Sequence, residues 1–342
     1  MLSALITRSA VVLGLLVMVA TAWSAPMKWT LGGYLQGRFA EDFGTISVPT
    51  PTDNASTFLA LRPSVLIRAF DEEHIFLQMF VQTAKGTSDP EFVHAFAEYR
   101  AKPYYARLGL GPIPFGYENP VSSCLLITTE RSQVSNELVG PLANDRGIFV
   151  YYTPAQAGKF NASLGVVNGT AYNVSRDPNN AKNVVARLGY TIPGGEIGVS
   201  AIQGSGTQAI DPGTFDRLGV DVVWVTGSIT VISELMSGKT GTLVDVDPSP
   251  GIEDLQMVDT DANGGYLTVA CRKQGSNWMP YARVDILDRN TDAAGDHFSR
   301  VTGGVSYYLT PLSKLQAEYE NIDDNLNPNL DGRFTAQYQI IF

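Results

Sequence analysis

Histidine and cysteine are scarce in this chain, with three of the first and two of the second among 342 residues. His74, His94 and His297 lie far apart, and no serine stands in a context that would make it a nucleophile beside one of them. A hydrolase triad needs that arrangement, so catalysis is not expected and no cofactor is implied. Cys124 falls in a long connection and Cys271 on an apolar strand face; two such thiols make no disulfide framework and read as free. Lysine is confined to connections or their edges: Lys28, Lys85, Lys102, Lys159, Lys182, Lys239, Lys273 and Lys314. Beyond the first 25 residues no apolar run approaches the roughly 20 residues of a membrane-spanning helix. A net charge of −10 leaves no basic surface for nucleic acid.

The amino terminus has its own pattern. Arg8 precedes an apolar run, Ala10 to Ala20, and Ala20-Thr-Ala22 follows as a small-residue cleavage site. This reads as a signal peptide over residues 1–22, leaving 23–342 as one exported domain.

What the chain has in quantity is alternation. Residues Arg333 to Phe342 place Phe334, Ala336, Tyr338, Ile340 and Phe342 on one face, with Arg333, Thr335, Gln337 and Gln339 on the other. A period of two is the side-chain period of a strand. The pattern predicts strands at Trp29–Phe39, Phe58–Phe70, Ile75–Thr83, Val93–Arg100, Tyr105–Pro112, Arg146–Thr153, Phe160–Asn168 and Asn183–Ile192. It continues at Glu196–Gln203, Arg217–Val225, Ser228–Ser237, Gly265–Arg272, Trp278–Asp288, Phe298–Leu309, Leu315–Ile322 and Arg333–Phe342. Connections after even-numbered strands are short, as in Pro193-Gly-Gly195 and Thr226-Gly227. Those after odd-numbered strands are long, as in Ala40–Thr57, Ile113–Asp145 and Gly238–Gly264. A soluble sandwich has no reason to alternate in this way, whereas outer-membrane barrels do. The fold class expected is all-β, a transmembrane antiparallel barrel of about 16 strands, with bacterial outer-membrane lipid as its surroundings.

Charge on a lipid face costs about 2–4 kcal/mol at the bilayer midplane, so the charged phase of each strand points into the lumen. Leu59, Leu61, Val65 and Ile67 oppose Arg62, Ser64 and Arg68; Leu218, Val220, Val222 and Trp224 oppose Arg217 and Asp221. Arg146 shares its phase with Ile148 and Val150, which suggests a bulge or a rim position. The lumen phase collects Arg38, Arg62, Arg68, Arg100, Arg107, Arg187, Arg217, Arg272, Arg283, Arg300 and Arg333, against Glu98, Asp221, Glu234, Asp285, Glu318 and Glu320. The strands use arginine alone. Its planar fork pairs bidentately with oxyanions, and rings of such groups set anion preference in pores. The alternative reading is that these arginines pair with lumen acids and hold the barrel in shape.

The connection Ile113–Asp145 is longer than a compact protein normally leaves structureless. Folded inward, it would narrow the channel and present Arg131 with Glu118, Ser122, Ser123, Glu130 and Ser132; as an outside cap it would not. Asp259-Thr-Asp261-Ala-Asn263-Gly264 copies the first half of a calcium loop, but the position of its closing glutamate is Ala270. A solvated acidic loop, at most a weak divalent site, is expected there.

Gly109-Leu-Gly-Pro-Ile-Pro-Phe-Gly-Tyr-Glu118, Ser122-Ser123, Glu130-Arg131-Ser132 and Asp145-Arg146-Gly147 resemble the phosphate-selective porin O/P family. Asn161–Gly169 and Leu31-Gly-Gly-Tyr-Leu-Gln-Gly-Arg38 resemble other strands of that family. The resemblance implies a sixteen-stranded barrel, usually a homotrimer, with the third loop folded inward and passive uptake of small anions such as phosphate. This chain has Pro112 where the family often has a lysine, and no lysine cluster lines its third loop. A non-selective general-diffusion porin, or a barrel acting as sheath or anchor for a partner protein, are the alternatives.

Overall fold

The computed structural model describes residues 26–43, 56–71, 74–83, 90–154, 159–170, 177, 180–205, 213–245 and 255–342. The expected signal segment, residues 1–22, lies outside them. The described residues form sixteen antiparallel strands closed into one barrel. In chain order these are β1 (Lys28–Phe43), β2 (Ser56–Phe70), β3 (Ile75–Thr83), β4 (Pro90–Ala101), β5 (Tyr104–Pro112), β6 (Asn144–Tyr152), β7 (Phe160–Val167) and β8 (Asn183–Ile192). The second half comprises β9 (Gly195–Gln203), β10 (Arg217–Thr226), β11 (Ile229–Asp245), β12 (Leu255–Cys271), β13 (Trp278–Asp288), β14 (His297–Thr310), β15 (Ser313–Asp324) and β16 (Gly332–Ile341). Every strand pairs with its chain neighbours, and β16 closes on β1 with Gln36 opposite Gln339. Gly33 and Phe342 exchange both backbone hydrogen bonds at 3.0 Å across this seam. A Cβ on Gly33 would lie 2.2 Å from the carbonyl oxygen of Ser64 on β2, so the close approach of β1 to β2 requires glycine there.

Closure leaves no unpaired sheet edge, which is what lets strands cross hydrocarbon. The outer face is apolar, with Leu108, Ile148, Leu164, Val184, Leu188, Val199, Leu218 and Leu235 all exposed. Near the short-turn end, cross-strand aromatic pairs ring the barrel: Tyr104 with Tyr152, Phe160 with Tyr190 and Trp278 with Tyr307, at 4.6–5.2 Å between centroids. Such pairs add about 0.5–1.5 kcal/mol each beyond area burial, and aromatic girdles mark the two interfaces of outer-membrane barrels. This is a membrane-spanning barrel of the outer-membrane type.

Three details depart from simple alternation. In β2 the register slips between the pairs Tyr34–Ser64 and Gln36–Leu61, where Arg62 has φ of 50°. Phe58 and Arg68 are therefore on opposite faces despite equal parity, so no single phase runs through the strand: Phe58 packs outside on Phe39, while Arg68 bonds Gln78 in the lumen. The hairpin β11–β12 reaches Asp245 and Leu255, so most of the expected acidic loop is strand. Asp259, Asp261 and Asn263 then stand in line along one strand face, which cannot wrap oxygens around an ion; no metal-binding cluster occurs among the described residues. Arg146 sits at the long-loop end of β6, in phase with the exposed Ile148 and Val150, as a rim residue.

The lumen is not simply water. In the long-loop half an apolar core joins Ile113, Phe115, Val134 and Leu138 of the third loop to inward side chains such as Phe149, Val185, Met236 and Phe298. This core holds the loop inside the barrel.

Candidate functional site: an inward loop and the passage beside it

The loop between β5 and β6 is pinned at its base, where Ile113 N donates to Ala143 O and Asn119 Nδ2 donates to Ile113 O, both at 3.1 Å. It then crosses the lumen to the wall made of β11–β16, β1 and β2. Glu234 of β11 is 1% exposed and accepts from the backbone N–H of Tyr117 (3.1 Å) and Glu118 (2.6 Å), and from Tyr266 OH (2.7 Å). Gly116 has φ of 64°, and a Cβ there would lie 2.2 Å from Glu234 Oε2, so only glycine permits this strap.

The remaining loop contacts reuse the predicted residues. Arg283 donates to Glu118 at 2.6 Å, and Glu118 also accepts from Ser132 N and Oγ. Ser132 in turn caps the single helical turn and a half, α1 (Gln133–Leu138), by accepting from Ser135 N. Glu130 bridges Arg38 at 2.6 Å and Arg62 at 2.9 Å. Arg300 holds Asp285, Glu320 and the carbonyl of Arg131. Arg131 itself donates to the loop carbonyls of Glu118 and Val121, and burial lowers the pKa of its guanidinium. Ser123 Oγ meets Tyr34 OH at 2.8 Å, and Ser122 Oγ meets the Cys124 thiol, whose pKa is raised by burial.

The opposite wall, β3–β9, meets the loop through apolar side chains and one hydrogen bond, Gly116 N to Ser200 Oγ at 3.0 Å, with no ion pair to the loop among the described residues. Between it and the loop lies an open cavity of about 460 Å³, bounded by Arg107, Tyr151, Arg187 and Glu196 on the wall and by Pro114 and Pro120 on the loop. Arg107 shares Glu98 with Arg100, at 2.9 and 2.6 Å, and lies over the rings of Phe96 (4.1 Å) and Tyr151 (5.0 Å). Arg187 is held between Glu196 and Asp221 at 2.6 Å each. Arg68 is exposed to the lumen.

The candidates therefore separate. Arg107 and Arg187 border the cavity, with Arg100 on the same wall and Arg68 on the adjoining strand β2. Arg38, Arg62, Arg283 and Arg300 fasten the loop, and Arg217 is buried against Leu138 O and the Phe215 ring. Arg272 lies over Tyr308 at the short-turn end, and Arg333 pairs with Asp42 near the long-loop end. Arg131, expected to meet a passing anion, is instead committed to the loop's own carbonyls. The cationic excess counted from strands also shrinks, because eight of the twelve candidates make ion pairs: Arg38, Arg62, Arg100, Arg107, Arg187, Arg283, Arg300 and Arg333. Glu196 was in a predicted strand and in phase with Ser200, so its place was readable and overlooked. Asp42 fell beyond the predicted end of β1. Lys314, assigned to a strand edge, is buried under the loop. Of the histidines, His94 bonds Gln78 between the rings of Phe80 and Phe96, His74 stands against Tyr99, and His297 is exposed.

No protein-family model matches this chain, and no curated protein matches it. Solved structures do. OmpF of Salmonella typhi, in complex with daunomycin, is 13% identical with a TM-score of 0.68, over 92% of this chain and 98% of that one. OmpT of Vibrio cholerae in its trimer form is 12% identical with a TM-score of 0.65, over 92% and 99%. An anion-selective porin from Comamonas acidovorans is 12% identical with a TM-score of 0.62, over 93% and 100%. Such likeness establishes the barrel fold.

Proposed function

We propose that this chain is a bacterial outer-membrane porin, passing small hydrophilic solutes passively and favouring anions, phosphate among them. The observation that carries this reading is the open cavity beside the inward loop, read as the passage, with Arg107 and Arg187 on its wall and proline on the loop side. Three of the loop's carboxylates, Glu118, Glu130 and Glu137, are committed to Arg283, to Arg38 and Arg62, and to Arg289. A solute in the passage thus meets Arg107, which shares Glu98 with Arg100, and Arg187, which is held between Asp221 and the passage-lining Glu196. An arginine in that position raises the local concentration of anions, and the loop sets the size limit. The chemistry is diffusion rather than catalysis. Phosphate as a solute rests on the resemblance of the loop segment to the O/P family. A homotrimer is supported by the trimer form of the V. cholerae neighbour.

The second reading is a porin without ion preference. It is favoured by Glu98, Glu196 and Asp221, which neutralise most of the guanidinium charge on the bare wall. Reversal potential across a planar bilayer in a salt gradient separates the two. A potential on the anion side that collapses in Arg107→Gln and Arg187→Gln supports the first; zero potential in the unaltered barrel rejects it.

A further inference from the structure

A second cavity, of about 310 Å³, lies behind the loop, between its tip and the wall of β11–β16. Its lining is mainly apolar, with Leu126, Ile127, Met279 and Tyr308 around it. The volume falls at the lower end of the range for small-molecule pockets. Three charged side chains reach it. Glu118 and Arg283 neutralise one another at 2.6 Å. The third, Lys314, is only 5% exposed, and its Nζ donates to Leu126 O at 3.0 Å. Among the described residues Lys314 makes no ion pair. One carbonyl dipole does not neutralise an ammonium group, and Glu318, four residues along the same strand, attracts it without an ion pair while accepting from Thr129 and Tyr281; a buried charge with no direct ionic partner is costly.

We propose that this cavity binds a small carboxylate with an apolar body, its head on Lys314 Nζ and its body against Leu126, Ile127 and Met279. Phosphate would meet the amine but leave the apolar lining wet. A neutral apolar solute would fill the lining but leave the ammonium without a partner. An amphiphilic acid satisfies both. Leu125 and Leu312 border the cavity and are 67% and 54% exposed, so the entrance faces the short-turn end, the periplasmic side of such barrels. The site is separate from the ion passage and does not depend on anion preference there. Occupied, it would tie the loop tip to β15.

Cys124 borders the same cavity and reports its occupancy. In the full barrel carrying Cys271→Ser, reconstituted in lipid nanodiscs, the rate of Cys124 alkylation by iodoacetamide is measured with 4-phenylbutyrate, with 4-phenylbutanol and with inorganic phosphate. At ten times its apparent Kd, 4-phenylbutyrate slows alkylation about tenfold, whereas the alcohol and phosphate at equal concentration do not. Lys314→Gln keeps a donor for Leu126 O and removes the charge, so protection requires about tenfold more acid, the worth of one charge-assisted contact. Equal protection by the alcohol or by phosphate, protection unchanged in Lys314→Gln, or no protection at all overturns the proposal. Should that variant not fold, acid against alcohol on the Lys314 barrel decides alone.

Discussion

The two walls of this lumen obey one alternation rule and use its product differently. On the wall made of β11–β16, β1 and β2, Arg38, Arg62, Arg283 and Arg300 are spent on the third loop, and the Arg283–Glu118 pair is buried, at 4% and 2% exposed in the side chains. On the wall of β3–β9 the same residue types pair with one another across strands and keep a face towards water, with Arg100 at 39% and Arg107 at 16%. Arginine in a lumen is therefore not one signal. Where the loop's carboxylates and carbonyls land on it, the guanidinium is a fastening; where they do not, it pairs within the wall.

That division can be broken most sharply at Arg283. Its replacement by alanine leaves Glu118 buried without its cation, a loss of about 3–5 kcal/mol. Urea titration of the barrel in detergent micelles reads the cost, and Cys124 alkylation should accelerate as the loop lifts. The pair Glu118→Gln with Arg283→Met removes both charges and should restore most of the stability, since an apolar or neutral replacement of a buried pair is often close to neutral. Failure of the double variant to recover would mean that the loop is held by something other than this pair.

Gly116→Ala strikes the same wall through the backbone. A side chain at φ of 64° costs about 1–3 kcal/mol, and its Cβ displaces Glu234 from the N–H groups of Tyr117 and Glu118. Wider conductance in planar bilayers, without loss of the barrel's cooperative unfolding, is the expected outcome. On the bare wall, Arg107→Gln should cost only about 1 kcal/mol, because Arg100 still holds Glu98 at 2.6 Å. Its effect belongs in ion preference. A stability loss as large as that of Arg283→Ala would erase the distinction between the walls.

All sixteen strands were readable, because each buries one face in lipid and period two survives even where composition is ordinary. The inward fold of the third loop was readable as one of two options from its length. The partners of Glu118 and Glu130 were not, since a loop residue has no periodicity to assign its direction. Alternation also fails where the chain adds a residue: the slip at Arg62 moves Phe58 and Arg68 to opposite faces. Nor does hydropathy see strands that rise beyond the membrane. The outer parts of β11 and β12, Gly238–Asp245 and Leu255–Gly264, are held by ladder pairing and fall where the sequence reads as a loop.

That protruding hairpin supplies the smallest expected effect. Lys239 and Asp261 face each other across it at 3.5 Å, both about half exposed. Exposed pairs of this kind contribute about 0–0.5 kcal/mol. Lys239→Ala should therefore leave the urea midpoint nearly unchanged. Calcium should do the same, because Asp259 and Asp261 project from alternate positions of one strand, about 6.8 Å apart along it, and Asp259 already accepts from Thr214 N. A calcium-dependent rise in that midpoint, abolished by Asp261→Asn, would mean that the hairpin opens into a loop that gathers its carboxylates around the ion.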